Sequence, residues 1–352
     1  MLDIKITRTT CPKEKPQDES KLGFGKKFTD HMFVMDYTEG EGWHDARIVP
    51  YGPWEMDPAT TVFHYAQEIF EGMKAYRTAD GKIQLFRPDC NANRFNDSAD
   101  RLGMPPIPPE DFVQAVKALV DVDREWVPHS DGASLYIRPF MIGTNSVIGV
   151  KPATEFEFRI FCTPVGPYFK GGAKPIAIKV SDYDRAAPHG TGNIKAGLNY
   201  AMSLHAIMEA HREGFAENMY LDAATRTKVE ETGGANFIFV TKDGKLVTPK
   251  SDSILPSVTR RSLLVVAEKY LHMPVEEREV YFSEVPDFAE CGLCGTAAVI
   301  SPVGLINDHG KEIRIPSGMD EMGPVLTKLY TTLRGIQQCE IEAPEGWILK
   351  IQ

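Results

Sequence analysis

The chain has 352 residues, 42% of them hydrophobic and 25% charged. That balance is ordinary for a soluble globular protein, and the length makes two domains the default. Its 39 lysines and arginines face 49 aspartates and glutamates, a net charge of −10 that argues against a nucleic-acid or anionic-membrane partner.

Residues 1–22 are polar and charged, without the apolar stretch of a signal peptide, and read as a loosely held arm. No apolar run approaches transmembrane length, so the expectation is a cytoplasmic protein with no membrane partner. Asp89 is placed to cap a helix running to Leu102, with Gly103 where a helix-ending glycine belongs. Pro109 starts a second helix, whose Phe112, Val116 and Leu119 form an apolar stripe. The run Glu155–Cys162 alternates Phe156, Phe158, Ile160 and Cys162 on one face, a strand of period two. Phe169–Pro175 is the best linker: Gly171-Gly172 bends, Pro175 interrupts regular structure, and a strand restarts at Ile176. A helix follows and ends near His211-Arg212-Glu213-Gly214, with basic residues in the last turn and then glycine. Further strands are expected at 236–241, 245–248 and 297–301.

The six cysteines are scattered, which suits reduced thiols. Cys291-Gly-Leu-Cys294 has zinc or redox spacing, but no second ligand pair accompanies it, and no metal site is expected.

Four segments carry chemistry. Gly190-Thr-Gly-Asn-Ile-Lys195-Ala-Gly-Leu-Asn-Tyr200 sets one lysine between a glycine-rich turn and an apolar helix. Desolvation there would favour the neutral amine, which attacks carbonyls and holds aldehydes as Schiff bases; the plainer alternative is a surface lysine. Glu230-Glu231-Thr-Gly-Gly-Ala-Asn236 puts two acids before a tight turn. A carboxylate against a pyridine nitrogen keeps it protonated and makes the ring an electron sink, though a charged turn between strands reads the same way. Ser257 looks like an N-cap whose helix would point N–H groups at an anion such as phosphate. Arg94, on the helix after Asp89, could grip phosphate in a bidentate way or simply be solvated.

Phe28-Thr-Asp-His-Met32, Phe70-Glu-Gly-Met-Lys-Ala75, Leu135-Tyr-Ile-Arg-Pro139, Gly192-Asn-Ile-Lys195, Glu231-Thr-Gly-Gly-Ala-Asn236 and Gly295-Thr-Ala-Ala298 occur in this order. Together they resemble the branched-chain amino acid aminotransferases, in the pyridoxal-phosphate fold type that includes D-amino acid aminotransferase. The resemblance covers about Phe24 to Trp347. It implies an α/β (α+β) protein of fold type IV: a smaller N-terminal α/β domain at 1–168, a linker at 169–175, and a C-terminal pseudo-barrel domain at 176–352. It also implies transamination of L-leucine, L-isoleucine and L-valine with 2-oxoglutarate by a ping-pong Schiff-base mechanism.

Residue by residue, the resemblance implies that Lys195 holds pyridoxal 5′-phosphate and shuttles the proton. Glu231 would pair with the pyridine nitrogen and Tyr200 with the phenolic oxygen. Arg94, Thr296 and the amides of Val258 and Thr259 would hold the phosphate. Phe24, Tyr65, Phe70, Tyr136, Arg138 and the Thr296-Ala297 turn would line the substrate pocket, the turn amides taking the substrate carboxylate. The loop holding Val150 would reach the partner's pocket in a homodimer.

Ala298 and Ser301 stand where some relatives carry a redox-sensitive cysteine pair, and Gly234 where some carry threonine. Whether Cys291 and Cys294 form a different thiol switch stays open. The alternatives are a D-amino acid aminotransferase, an aminodeoxychorismate lyase, or a cofactor-free binding protein on the same fold. Tyr136-Ile-Arg138 and the long N-terminal segment argue against the first two, and the joint presence of Lys195, Glu231, Tyr200 and Arg94 against the third.

Overall fold

The computed structural model describes residues 1–168 and 173–351. In chain order the strands and helices are β1 (Lys5–Ile6), β2 (His31–Thr38), β3 (Gly42–Pro50), α1 (Thr61–Tyr65), β4 (Glu68–Phe70), β5 (Met73–Arg77), β6 (Ile83–Phe86), α2 (Pro88–Arg101), α3 (Pro109–Val122), β7 (Ser134–Gly143) and β8 (Glu155–Val165). They continue with β9 (Ile176–Val180), α4 (Gly197–Arg212), β10 (Glu217–Met219), β11 (Asn236–Val240), β12 (Leu246–Pro249), α5 (Val258–Tyr270), β13 (Val275–Arg278), β14 (Glu290–Gly295), β15 (Val299–Asp308), β16 (Lys311–Arg314), α6 (Pro324–Gln337) and β17 (Ile348–Ile351).

The chain divides into two compact units. The first comprises Met1–Tyr168, Lys195–Gly197 and Gln337–Gln352; the second Phe169–Ile194 and Leu198–Ile336. The division therefore does not fall at 169–175 alone, and of that expected linker residues 169–172, with the Gly171-Gly172 bend, lie outside the described residues. The C-terminal segment expected in the second domain returns to the first because β17 pairs antiparallel with β6, Ile348 opposite Phe86 and Ile351 opposite Ile83. Those returns make the first unit the larger in residues.

The first unit is built on a nine-stranded sheet in the order β1-β3-β2-β8-β7-β5-β6-β17, with β4 added against β7. The period-two face of β8 is buried through Phe156, Phe158, Ile160 and Cys162. Phe158 meets Phe33 of β2, Phe95 of α2 and Phe112 of α3 at ring-centroid distances of 5.9, 5.4 and 5.6 Å, so the helices seal one face of the sheet with aromatics. Asp89 is not the cap of α2. The helix opens at Pro88 from Arg87, whose φ is +47°, and Asp89 sits one residue inside, where its charge faces the positive helix end.

The N-terminal arm is tied down rather than loose. β1 pairs with β3, the Thr9 N–H donates to His31 Nε2 at 2.9 Å, and the Lys13 N–H donates to Asp30 Oδ1 at 2.8 Å. Buried side chains of the body thus satisfy the arm's backbone.

The second unit carries an eight-stranded mixed sheet, β10-β9-β15-β14-β11-β12-β13, with β16 paired to β15. Phe237 and Phe239 of β11 stack at 5.6 Å, and Phe288 stacks on Phe239 at 4.6 Å. Ser257 caps α5 as expected, its side chain accepting the Arg260 N–H. The strand expected at 297–301 begins at Val299, because residues 296–298 form the turn from β14 and Val299 has a φ of +64°. Among the described residues no helix is long and apolar enough to cross a membrane.

Candidate active site

The predicted site residues fall into two sets, one in each unit. In the first unit, Lys195 is held by its backbone: its N–H donates to Ser98 Oγ of α2 at 2.9 Å, and its carbonyl accepts the Phe70 N–H at 3.0 Å. Its Nζ lies 4.8 Å from the centre of the Phe70 ring. Main-chain anchoring fixes the root of the side chain.

Phe70 also faces Arg138, whose guanidinium carbon is 4.7 Å from the ring centre. Arg138 and Tyr136, two apart on β7, share a face, and Arg138 Nη2 donates to the Tyr136 hydroxyl at 3.1 Å. Phe24 packs edge-on against Tyr136 at 4.9 Å and is itself 52% exposed. Gly72 makes room for this arrangement, since a Cβ there would lie 2.2 Å from the Tyr136 hydroxyl. The result is an aromatic wall with the Arg138 guanidinium set into it. Tyr65 ends α1 five residues before Phe70. Val150 stands 89% exposed beside Ile148, so it lines no part of its own unit's wall.

Arg94 is brought to a partner the sequence reading did not give it. Its Nε donates to Glu71 Oε1 at 2.7 Å and its Nη2 to Glu71 Oε2 at 2.8 Å, while Asn91, one turn earlier on α2, donates to Oε2 at 2.7 Å. Glu71 is fully buried. Burial alone would raise its pKa, but the Arg94 charge and hydrogen bonds, with Lys195 and Asn91, outweigh it and hold the carboxyl below its ordinary value. Glu71 lay unread inside the Phe70-Glu-Gly motif. The available signal was an acid flanked by Phe, Gly and Met on a strand-rich stretch, where a buried charge demands a cation.

In the second unit, Glu231 is fully buried. Asn236 Nδ2 donates to its Oε2 at 2.6 Å, the Leu255 N–H donates to its Oε1 at 2.8 Å, and Arg185 forms an ion pair with Oε1. Burial pushes the Glu231 carboxyl up to about 7; Arg185 and the hydrogen bonds pull it down, and the neighbouring Glu230 adds to the rise. Arg185 was missed, and no motif marks it. Tyr200 lies on α4 against Gly234, where an added Cβ would be 3.9 Å from the Tyr200 ring; a threonine at 234 would approach that ring.

At the start of α5 the Ser257 hydroxyl takes the Arg260 N–H. The first-turn amides of Val258 and Thr259 have no acceptor within the helix. Thr296 and Ala297 occupy the β14–β15 turn. The buried Glu231 carboxylate and the two amides at a positive helix end, both in the second unit, suit a phosphate-bearing pyridine ring.

The Cys291–Cys294 pair is not a switch. Three apart on β14, the two side chains point to opposite faces of the strand. Both are fully buried, and burial pushes Cys294 up to about 12 and Cys291 well above the ordinary thiol value.

A model of the amino-transferase class IV family matches residues 68–306. A branched-chain-amino-acid aminotransferase of Haemophilus influenzae is 48% identical over 96% of this chain and 100% of its own length, and one of Mycobacterium tuberculosis is 45% identical over 99% and 98%. Among solved structures, the branched-chain amino acid aminotransferase of Thermobaculum terrenum in its PLP-bound holo-form superposes with a TM-score of 0.74 at 25% identity, covering 91% of this chain and 98% of that one.

Proposed function

Because the chain belongs to the class IV aminotransferases, as a branched-chain amino acid aminotransferase with pyridoxal 5′-phosphate as its cofactor, we propose that it exchanges the amino group of L-leucine, L-isoleucine or L-valine with 2-oxoglutarate. The products are the branched 2-oxo acid and L-glutamate, formed in two alternating half-reactions. The observation that carries this choice is the wall of Phe70, Tyr136 and Phe24 with Arg138 set into it. Aromatic faces receive an aliphatic side chain, and the guanidinium and tyrosine hydroxyl receive the second carboxylate of glutamate in the same space.

When bound, the cofactor supplies an electron-accepting ring for the carbon that loses its proton. Lys195 would attach it and then act as acid and base, its Nζ carrying the proton between the amino acid's α-carbon and the cofactor's C4′. Glu231 would hold the proton on the ring nitrogen, and Tyr200 would donate to the phenolic oxygen. The Val258 and Thr259 amides, Thr296 and Arg94 would hold the phosphate. The Thr296–Ala297 turn would take the substrate carboxylate, and Tyr65 would complete the side-chain pocket.

The exposed apolar run of Val147, Ile148 and Val150 supports a homodimer in which Val150 reaches the partner's pocket. The net charge of −10 and the scattered free cysteines support a cytoplasmic setting.

A visible absorption spectrum of the purified protein tests the reading. A yellow band that bleaches with L-leucine and returns with 2-oxoglutarate is expected. A band indifferent to L-leucine overturns the substrate assignment.

A further inference from the structure

Arg185 has no motif around it, yet it is buried to 5% exposure at a junction of three segments. Its Nη2 donates to the carbonyls of Gly192 at 2.7 Å and Ser253 at 2.6 Å, and the same nitrogen contacts Glu231 Oε1. The glycine turn before Lys195 is shaped around it. A Cβ on Gly192 would lie 3.0 Å from Arg185 Nη2 and 2.2 Å from the Ser253 carbonyl oxygen. Glycine at 192 therefore admits the guanidinium and the Ser253 carbonyl.

The need for a cation here is electrostatic. Glu230, next to Glu231, is also buried; its Oε1 accepts from Ser253 Oγ at 2.6 Å and Ser251 Oγ at 3.1 Å. Burial and the neighbouring Glu230 carboxylate raise the cost of ionising Glu231. The other titratable groups that act here are Cys294 of β14, which interacts with Glu231, and Arg260 of α5, which acts on Cys294; burial and Glu217 push the Tyr220 hydroxyl up to about 12, and Arg185 opposes the rise. Arg185 is the cation that touches the Glu231 carboxylate among the described residues. All three contacts converge on one nitrogen, so Arg185 brings its positive charge to a single point between the two carbonyls and the Glu231 carboxylate.

We propose that Arg185 is the positioning residue of the ring-nitrogen site: it keeps Glu231 ionised and aimed, and so acts on the cofactor through Glu231. The inference rests on the reading of Glu231 as the partner of the pyridine nitrogen.

The test compares the dissociation constants of pyridoxal 5′-phosphate and of its 1-deaza analogue, in which the ring nitrogen is replaced by C–H, for the wild type, Arg185→Met and Arg185→Lys. Arg185→Met should weaken pyridoxal phosphate by about tenfold or more, leave the deaza analogue within about threefold, and be partly rescued by Arg185→Lys. In a Glu231→Gln background, Arg185→Met should add no further selective loss. Equal weakening of both ligands overturns the proposal, since a merely structural residue would not distinguish them; if Arg185→Met does not fold, the same comparison on Arg185→Lys decides. Wild-type protein that takes up no pyridoxal phosphate would overturn the Glu231 reading itself, a result distinct from equal weakening in the variants.

Discussion

Glu71 and Arg94 form a buried ion pair with two side-chain hydrogen bonds and a third donor in Asn91. Removing one partner leaves an uncompensated buried charge, so Glu71→Ala should cost about 3–5 kcal/mol in chemical denaturation. Because the folded-state pKa of Glu71 lies below its unfolded value, its stabilisation is full above the unfolded pKa and fades as pH falls through the folded one. Glu231 has the opposite sign. Its carboxyl is raised to about 7, so the native state binds more protons than the unfolded chain between about pH 4.3 and 7. The cofactor-free protein should therefore lose stability as pH rises through that window, and Glu231→Gln should flatten the decline; a melting series from pH 4 to 8 on both proteins decides.

At the scale of elements, a few residues hold the site's parts in place. Ser257 caps α5 through the Arg260 N–H, and Ser257→Ala should lower stability by about 1 kcal/mol in thermal denaturation. Gly72 gives the Tyr136 hydroxyl its space. Gly72→Ala displaces that ring, and KM for L-leucine should rise about tenfold while cofactor uptake stays normal, as steady-state kinetics and the absorption band together would report. The same periodicity that marked β8 exposes the limit of motif reading at β14: spacing suggested that Cys291 and Cys294 could act together, whereas the strand's alternation sends them apart.

Across the whole molecule, β17 adds the chain's last residues to the first sheet. Trp347, just before it, is buried against Phe86 at 5.6 Å and under Arg87 at 4.5 Å. Trp347→Ala should cost about 3 kcal/mol or more, and differential scanning calorimetry should show the loss in one transition while a second, from the other unit, stays in place.

Local chemistry wrote much of this protein into its sequence. The Ser257 cap, the period-two face of β8, the start of α3 and the glycine after α4 each depend on residues within a turn or two, so they can be read in order along the chain. Lys195, Glu231, Tyr136 and Arg138 stand inside short motifs that can be read along the chain. Tertiary structure alone decided the partners. Glu71 meets Arg94 from 23 positions away and Arg185 meets Glu231 from 46. The tail joins β6 from the far end of the chain, and the polar arm is held by His31 and Asp30. A buried charge states that it needs a counter-charge, but which distant residue supplies it depends on how the strands are ordered in their sheets, and no local pattern encodes that order.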